Sequence, residues 1–303
     1  MNGADQKTLL AVPNVSEGRD QGKIEAIATA FEARLLDIHT DPDHHRSVYT
    51  IAGAPGTLAE HVLAGAREAL AQVDLAAQRG EHPRVGAIDV APIVYLDEAA
   101  RGAACAEALV LGDLLGSELE LPVFMYGELA RGRTRAELRR GGPEELARRI
   151  DSGDLTPDFG PHRMHARGGA VLVAARAPLI AFNLELESPA TLEQARAIAA
   201  RIREGGSEGL SGVRAIGLYL EGRGVAQVST NVEEHRTTAL ADVIAAVSRH
   251  HPVAAVELVG LAPREAFEDF PSAVPIRGFD PDRHLIERAL ANSPPDYAPG
   301  RVS

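Results

Sequence analysis

The stretch Thr8–Gly53 decides the fold: TLLAVPNVSEGRDQGKIEAIATAFEARLLDIHTDPDHHRSVYTIAG. It begins with a short apolar run that Pro-Asn interrupts, and Ile24, Ile27 and Phe31 then recur at helical spacing. Two runs rich in apolar and β-branched residues follow, RLLDIHT and SVYTIAG, with the turn-forming residues DPDHHR between them. The pattern predicts a strand, a helix and then two strands joined by a loop.

The next segments complete a β-α-β-β-α-β unit. In TLAEHVLAGAREALAQVDLA, Leu58, Val62 and Leu70 lie on one helical face, and Thr57 with Glu60 has the spacing of a capping box. The apolar run AIDVAPIVYL is long enough for a buried strand. A helix in AACAEALVLGDLLGSEL, a strand in PVFMYG and a basic helical stretch, RTRAELRRGGPEELARRI, extend the unit.

After a region dense in Gly, Pro, Asp and His (residues 151–169), the same order recurs. AVLVAARAPLIAFNLEL predicts a strand, SPATLEQARAIAARIRE a helix, VRAIGLYL and VAQVSTNV two strands, TALADVIAAVSRHH a helix and VAAVELVG a strand. The split β-α-β unit underlies the ferredoxin-like fold. We therefore predict an α/β (α+β) protein with two ferredoxin-like βαββαβ sandwich subdomains, 1–170 and 171–303, and a ligand groove between them.

Composition restricts the class of partner. The formal net charge of −12 opposes binding to nucleic acid or to an anionic membrane. Cys105 is the single cysteine, so neither an intrachain disulfide nor a thiolate metal cluster can form. The N-terminal residues lack the order of a signal peptide, and no apolar stretch approaches the roughly twenty residues of a membrane span. These features predict a soluble cytoplasmic protein whose partners are small molecules or proteins.

Two polar clusters on predicted loops are candidates for ligand binding. HTDPDHHR, residues 39–46, has imidazoles and carboxylates that could bind a transition metal, but its spacing matches no familiar metal motif. A substrate-contacting turn is favoured there, with a solvated turn as the alternative. GPHRMHARGG, residues 160–169, combines exposed glycine amides with arginines that suit a carboxylate. A flexible surface loop is the alternative for residues 160–169, because it would have the same composition.

A third cluster, RGEHPRVGAID at residues 79–89, contains a histidine in a polar loop. An imidazole with an ordinary pKa of about 6.5 can accept and return a proton near neutral pH, so His82 is a candidate acid–base group. Glu81 or Asp89 could orient it, and a surface histidine is the alternative. Asn14 and Ser16 follow the first strand, where they can contact a ligand or cap the next helix.

Several blocks together resemble one family. They are, in order, VPNVSEGRD, LLDIHTDPDHHRSVYTIAG, GEHPRVGAIDVAPIVYL, PVFMYGELAR, PDFGP and LIAFNLEL, and AQVSTN in the second half matches as well. These blocks resemble the formiminotransferase domain, the glutamate formimidoyltransferase that occurs alone in bacteria and fused to a cyclodeaminase in animals. The resemblance covers residues 8–262.

The resemblance implies transfer of the formimidoyl group from N-formimidoyl-L-glutamate to N5 of tetrahydrofolate, a co-substrate, in histidine degradation. It implies that folate lies in the groove between the subdomains, that His82 is the catalytic residue and that the loop after PDFGP contacts folate. It also implies a homodimer, and we expect no metal. The substrate- or folate-binding candidates are Asn14, Asp37, His39, His45, Arg46, Arg84, Asp89, Gly160, Pro161, His162, Arg163, Met164, His165, Gly168 and Gly169.

Charge matching suggests narrower roles for some of these residues and for Asp41. Arg46, Arg84 and Arg163 are candidates for the substrate carboxylates, and Asp37, Asp41 or Asp89 for a cationic amidine. Surface ion pairs are the alternative for each.

The sequence also departs from the family. Position 39 is His where animal members carry an acid, and the loop after PDFGP is more basic and richer in glycine. The cyclodeaminase half is not found in the sequence, so we expect a separate enzyme to process the product.

Three other functions compete with formimidoyl transfer. A related enzyme on the same fold would use a formyl donor with folate. A non-catalytic folate- or carboxylate-binding protein would bind without turnover. A metal-dependent hydrolase would use His39, His44 and His45.

Overall fold

The computed structural model describes residues 8–75 and 83–293, so the predicted catalytic His82 and its neighbour Glu81 lie outside the described residues. The described chain forms two compact units. The first contains the residues up to Ala177 together with Ser293, and the second is Pro178–Asn292.

The first unit is built on one mixed sheet. Its strands are β1 (Leu9–Ala11), β2 (Asn14–Val15), β3 (Arg34–Asp41), β4 (Arg46–Gly53), β5 (Ile88–Tyr95), β6 (Val123–Met125) and β7 (Val171–Arg176). Its helices are α1 (Gln21–Ala30), α2 (Leu58–Gln72), α3 (Arg101–Glu118), α4 (Arg135–Arg139) and α5 (Gly142–Asp151). The short strands β1 and β2 both pair antiparallel with β4 and β5, and β3 pairs with β4. This is the predicted ferredoxin-like order.

The prediction was wrong for β7, the last strand of this sheet in chain order. Residues 170–186 were expected to form one strand that opens the second half, but the structure has two strands separated at Ala177 and Pro178. The first of them, β7, runs parallel to β5 and to β6 within the first sheet. Both strands are apolar, so hydrophobicity alone could not divide them. The chain therefore divides after Ala177 rather than after residue 170.

Two hydrophobic clusters cover the first sheet, one on each face. On one face, Tyr49, Ile51 and Ile93 pack in a core with apolar residues of α1, α2 and α3. On the other, Phe124 and Leu172 belong to a smaller cluster that includes apolar residues of α4 and α5. Because successive strand residues point to opposite faces, β5, β6 and β7 each contribute to both clusters.

The N-terminus of α2 differs from its prediction. Thr57 is the N-cap residue but its side chain makes no capping hydrogen bond. Instead Glu107 of α3 accepts hydrogen bonds from the backbone amides of Gly56 and Ala59, at 2.6 Å each. A carboxylate satisfies the unpaired amides of a helix start and suits its partial positive charge, so a residue distant in sequence replaces the predicted capping box.

The second unit repeats the ferredoxin-like order. Its elements are β8 (Ile180–Leu186), α6 (Leu192–Ile202), β9 (Val213–Leu220), β10 (Val225–Val232), α7 (Leu240–Ser248), β11 (Val253–Val259), α8 (Pro281–His284) and α9 (Ile286–Asn292). The antiparallel sheet has the order β11-β8-β10-β9. Phe182, Leu184 and Val228 form its core with apolar residues of α6 and α7. The predicted fold class of two α/β sandwiches is confirmed, while the groove between them stays a prediction. In the described part of the chain, no helix is both long and apolar enough to span a membrane.

Candidate active site

Polar side chains lie on the face of the first sheet that is opposite α1, α2 and α3, here called the outer face. Tyr49 and Ile51 of β4 belong to the core under those helices, so the alternate residues Arg46 and Thr50 point to the outer face. The register pairs Asp37 of β3 with Thr50 and Asp41 with Arg46. His39 and Asn14 share this face because each is opposite Val48 of β4. Four predicted binding residues therefore lie on one surface.

Asp89, at the start of β5, is the centre of a buried ion-pair network. One carboxylate oxygen accepts hydrogen bonds from Arg46 Nη1, at 2.8 Å, and from Arg139. The other oxygen accepts from the backbone amide of Val85 at 2.8 Å. Burial alone would raise the pKa of Asp89, but the charges of Arg139 and Arg46 and these hydrogen bonds lower it. Asp89 thus holds two arginines in place, and its oxygens are already occupied.

Arg139 and its neighbour Arg135 were not among the residues predicted from the sequence. Both lie on α4, which starts with a capping box between Thr134 and Glu137. The Arg135 guanidinium lies 5.6 Å from the centre of the Tyr126 ring. Burial, and then the nearby charges of Arg46 and Arg135, lower the pKa of Arg139 to about 10, against the influence of Asp89. The basic run before Gly-Gly-Pro was the only signal, and it predicted no more than a helix.

Two buried polar atoms on this side of the first sheet have no hydrogen-bond partner within residues 8–75 and 83–293. They are Thr50 Oγ1 and Arg139 Nε. Buried polar groups in native proteins are nearly always satisfied by protein, water or ligand. Arg139 belongs to the Asp89 network, and Thr50 lies four residues along β4 from Arg46, so the two atoms mark two places on this side of the sheet that suit a polar ligand.

The loop from Pro83 to Ala87 is fastened to the loop that precedes β7, and we call this contact the loop junction. Ala87 donates a backbone hydrogen bond to Gly168 at 2.8 Å, and Ala170 donates to Val85 at 2.9 Å. On the other side of the undescribed segment, Leu75 donates to the carbonyl of Arg167 at 2.9 Å. The residues that flank 76–82 on both sides are therefore bonded to the predicted folate loop.

Glycines allow the backbones to approach at the loop junction. A Cβ on Gly86 would collide with the carbonyl oxygen of Ala170, and one on Gly169, whose φ is +70°, would collide with that of Val85. The predicted binding residues Gly168 and Gly169 are buried here, so their first role is close packing. Gly160 has a similar role, since a Cβ there would meet the carbonyl oxygen of Leu121.

The variant Gly86→Ala is expected to lower the free energy of unfolding by about 1–3 kcal/mol, because an added methyl in a packed contact forces the backbone apart. Urea denaturation would measure the loss. Gly102→Ala on α3 is the matched control, since a methyl there meets no described atom within 4 Å. We expect the control to be neutral or slightly stabilising. Equal effects of the two substitutions would contradict the close packing at the loop junction.

The remaining candidates of this loop fall into two groups. Met164 and His165 are half-buried, and His165 Nδ1 accepts a hydrogen bond from the Gly168 amide at 2.8 Å. His162 and Arg163 are exposed, and Arg163 forms an exposed ion pair with Glu120 at 3.6 Å. The half-buried Pro161 lies between these groups in sequence. Arg163 is thus not part of the Asp89 network, and its ion pair lies at the surface.

The turn between β3 and β4 also reaches the loop junction. Asp41 Oδ1 accepts a hydrogen bond from the His44 amide at 2.8 Å, and Arg84 Nη2 donates to the His44 carbonyl at 3.5 Å. Ser16 Oγ donates to the Gly86 carbonyl at 2.8 Å. Ser16 therefore does not cap α1, which Asp20 caps through a hydrogen bond from the Lys23 amide. The polar loops predicted separately gather at one end of the first sheet.

His45, a predicted binding residue, contacts Glu17. Its Nε2 lies 3.0 Å from Glu17 Oε1, which also accepts from the backbone amides of Gly18 and Arg19 at 3.0 Å each. Burial alone would raise the pKa of Glu17, but the backbone hydrogen bonds and His45 lower it below the ordinary 4.5. Glu17 therefore orders the segment after β2 and orients His45.

The lowered pKa of Glu17 predicts a pH-dependent contribution to stability. The contribution is present above pH 4.5, the ordinary pKa, and is lost as the pH falls through the lower folded-state value. We expect Glu17→Gln to be less stable than the wild type at pH 7, with the difference shrinking towards pH 3. Denaturation of both proteins at several pH values would measure this. A difference that stayed constant over that range would show that the charge of Glu17 contributes nothing.

The metal alternative finds no support in the described part of the chain. There, no group of three or more His, Cys, Asp or Glu side chains is arranged to hold a metal ion. His45 contacts Glu17, and His39 lies on β3 opposite Val48. The expectation that the protein uses no metal stays a prediction.

Two family models match the chain and together cover most of it. The model of the N-terminal subdomain of the formiminotransferase domain matches residues 8–176, and the model of the formiminotransferase domain matches residues 181–272. Each matched region lies within one of the two ferredoxin-like units, and the second ends before the last helices of its unit. The chain belongs to the formiminotransferase domain family.

Named relatives are of two kinds. Formimidoyltransferase-cyclodeaminase of Sus scrofa is 40% identical over 280 residues, which are 85% of this chain and 50% of that protein. Glutamate formimidoyltransferase of Thermoplasma acidophilum is 33% identical over 294 residues, 92% of this chain and 96% of that protein. The enzyme of that name from Streptococcus pyogenes is 31% identical, with 94% and 99% covered. The chain spans about half the length of the cyclodeaminase relatives and nearly the whole length of the other two.

Proposed function

We propose that this protein is a glutamate formimidoyltransferase, which transfers the formimidoyl group of N-formimidoyl-L-glutamate to N5 of tetrahydrofolate and releases L-glutamate. Membership of the formiminotransferase domain family supports the proposal. The relatives from Thermoplasma acidophilum and Streptococcus pyogenes, which match over nearly their whole length, carry this name. The reaction belongs to histidine degradation.

The loop junction is the structural observation that supports the proposal most strongly. It bonds both flanks of segment 76–82, which contains His82, to the loop that the family resemblance assigns to folate. A proton-transferring group must lie within hydrogen-bond reach of the reacting nitrogen, directly or through one water. The hydrogen bonds of the flanking residues Leu75, Val85 and Ala87 to that loop support such an arrangement.

The Asp89 network supports binding of the donor substrate. Arg46 and Arg139 both contact Asp89, so their guanidinium groups are held close together on the outer face. Paired guanidiniums suit carboxylates, of which formimidoylglutamate has two. Asp37, opposite Thr50 on the same face, is the counter-charge that we assign to the amidinium group. Asp89 is excluded from that role because its oxygens already accept from Arg46, Arg139 and Val85.

The chemistry requires one group that accepts a proton and then donates one. N5 of tetrahydrofolate attacks the amidinium carbon and forms a C–N bond, which gives a tetrahedral intermediate with a cationic N5. His82 takes the proton from N5 and delivers it to the glutamate nitrogen. The bond from the carbon to that nitrogen then breaks, and glutamate leaves as a neutral amine. Proton transfer of this kind contributes about 10²–10⁴-fold to the rate.

A transfer assay tests the proposal. The purified protein is incubated with tetrahydrofolate and formimidoylglutamate, and the product is converted to 5,10-methenyltetrahydrofolate, which is followed by its ultraviolet absorbance. We expect turnover with this donor and little with N-formyl-L-glutamate. Turnover with the formyl donor alone would favour a formyltransferase, and folate binding without turnover with either donor would favour a binding protein. The cytoplasmic location and the homodimer stay predictions of the sequence.

A further inference from the structure

The turn between β3 and β4 contains a residue in a strained backbone conformation. His45, which directly precedes β4, has a φ of +50°, in the left-handed region that favours glycine. A residue with a branched side chain is disfavoured there, and such conformations persist only where the surrounding structure imposes them. The next residue is Arg46, one of the two arginines that contact Asp89. The strained residue therefore sets the direction in which the chain enters β4.

The His45 side chain is bonded to the segment that follows β2 (residues 16–20). Its Nε2 lies 3.0 Å from Glu17 Oε1, and the two side chains are 10% and 4% exposed. The same oxygen accepts from the backbone amides of Gly18, Arg19 and Asp20, at 3.0, 3.0 and 3.2 Å. The carboxylate that holds the imidazole is thus itself fixed by three amides of its own segment.

Two further contacts fasten this segment to the turn. Arg19 Nε donates to the carbonyl of Pro42 at 2.8 Å. Gly18 packs against the start of β4, where an added Cβ would collide with the backbone nitrogen of Arg46. The segment is also bonded to the loop junction through the hydroxyl of Ser16. It therefore connects the turn that carries Arg46 to the loop that precedes β5.

We propose that His45 is a positioning residue for the donor substrate, because its bond to Glu17 holds the turn so that Arg46 stays in place for a substrate carboxylate. This inference rests on the proposed function, in which Arg46 and Arg139 bind formimidoylglutamate. A guanidinium that must contact Asp89 and a substrate at once needs a fixed backbone, since such contacts depend on planar, directed geometry. Side chains that touch no substrate commonly supply that support.

The test is steady-state kinetics of the whole chain with three variants of His45. We expect His45→Ala to raise the KM for formimidoylglutamate about 3- to 10-fold, less than the full loss of a charge-assisted hydrogen bond, because Arg46 keeps its contact with Asp89. The values of kcat and of the KM for tetrahydrofolate should stay within about twofold, because Arg46 is assigned to the donor alone.

Two conservative variants separate the bond to Glu17 from the backbone strain. His45→Gln should restore the KM, because its amide nitrogen lies at the position of the imidazole Nε2 and can donate to Glu17. His45→Asn should not restore it, because asparagine tolerates the left-handed region but its shorter side chain does not reach Glu17. The matched control is His61→Ala on α2. His61 is a half-buried histidine 3.1 Å from the Phe31 carbonyl, and its loss should leave the KM unchanged.

A wild-type KM for formimidoylglutamate in folded His45→Ala would overturn the inference. Restoration by His45→Asn as well as by His45→Gln would also overturn it, since backbone strain alone would then account for the effect. So would a raised KM that His45→Gln does not reverse, or a loss that appears in kcat alone. These outcomes leave the proposed function intact. A wild-type protein without turnover would remove the proposed function and the inference together.

Discussion

Replacing His82 with alanine is expected to lower kcat for formimidoyl transfer about 100- to 10,000-fold while leaving the affinity for tetrahydrofolate within about twofold. The reason is that one imidazole both removes the proton from N5 and protonates the departing glutamate nitrogen. Steady-state rates and a folate-binding titration on the same preparation would separate the two quantities.

The control for that experiment is His250→Ala. His250 lies after α7 in the second unit and contacts Glu208 at the surface, at 3.0 Å, so its loss should leave kcat unchanged. The pH dependence of kcat gives an additional readout, because the wild type should show a titration that the His82 variant lacks. Full turnover in the His82 variant would remove the catalytic assignment.

Replacing Asp89 with alanine is expected to lower the free energy of unfolding by about 3–5 kcal/mol, the loss typical of breaking a buried ion pair from one side. Asp89 is 0% exposed, and its removal leaves the guanidiniums of Arg46 and Arg139 facing each other without their common partner. It also removes the hydrogen bond that fixes the Val85 amide next to the loop junction. Urea denaturation followed by circular dichroism would measure the change.

The matched control is Asp154→Ala, which breaks an exposed contact with Arg148 at 3.5 Å. Solvent-exposed ion pairs contribute little, so this variant should unfold like the wild type. Further support would come from the double variant Asp89→Leu with Arg46→Met, which we expect to be more stable than Asp89→Ala because it removes part of the uncompensated buried charge. If Asp89→Ala lowered the free energy of unfolding by less than about 1 kcal/mol, Asp89 would not be the centre of a buried ion-pair network.

The sequence predicts the fold class because both units show the same local patterns of apolar residues, helical spacing in the helices and apolar runs on both sides of a turn in the hairpins. Ile24, Ile27 and Phe31 recur at helical spacing and lie in the core, and the two strands around DPDHHR pair as a hairpin. What local patterns could not show is pairing between distant segments. β7 joins β5 and β6 by parallel pairing, and Glu107 caps α2 from another helix.

For the candidate site too, local sequence patterns were informative and contacts between distant segments were not predicted. Polar composition was enough to mark the loops, whereas the common face of Asp37, His39 and Arg46 became visible only from the pairing of β3 with β4. Arg139 was missed because its partner, Asp89, lies 50 positions away. The binding role of Arg163 stays a prediction, because nothing in its sequence surroundings distinguishes an exposed arginine, here paired with Glu120, from one that faces a substrate.

Formimidoyl transfer by this protein is best tested by measuring the amounts of L-glutamate and 5-formimidoyltetrahydrofolate that the wild type forms with and without tetrahydrofolate. We expect equal amounts of the two products when tetrahydrofolate is present, and no release of glutamate when it is absent. Release of glutamate without tetrahydrofolate, or consumption of formimidoylglutamate without formation of the folate product, would contradict the proposed group transfer.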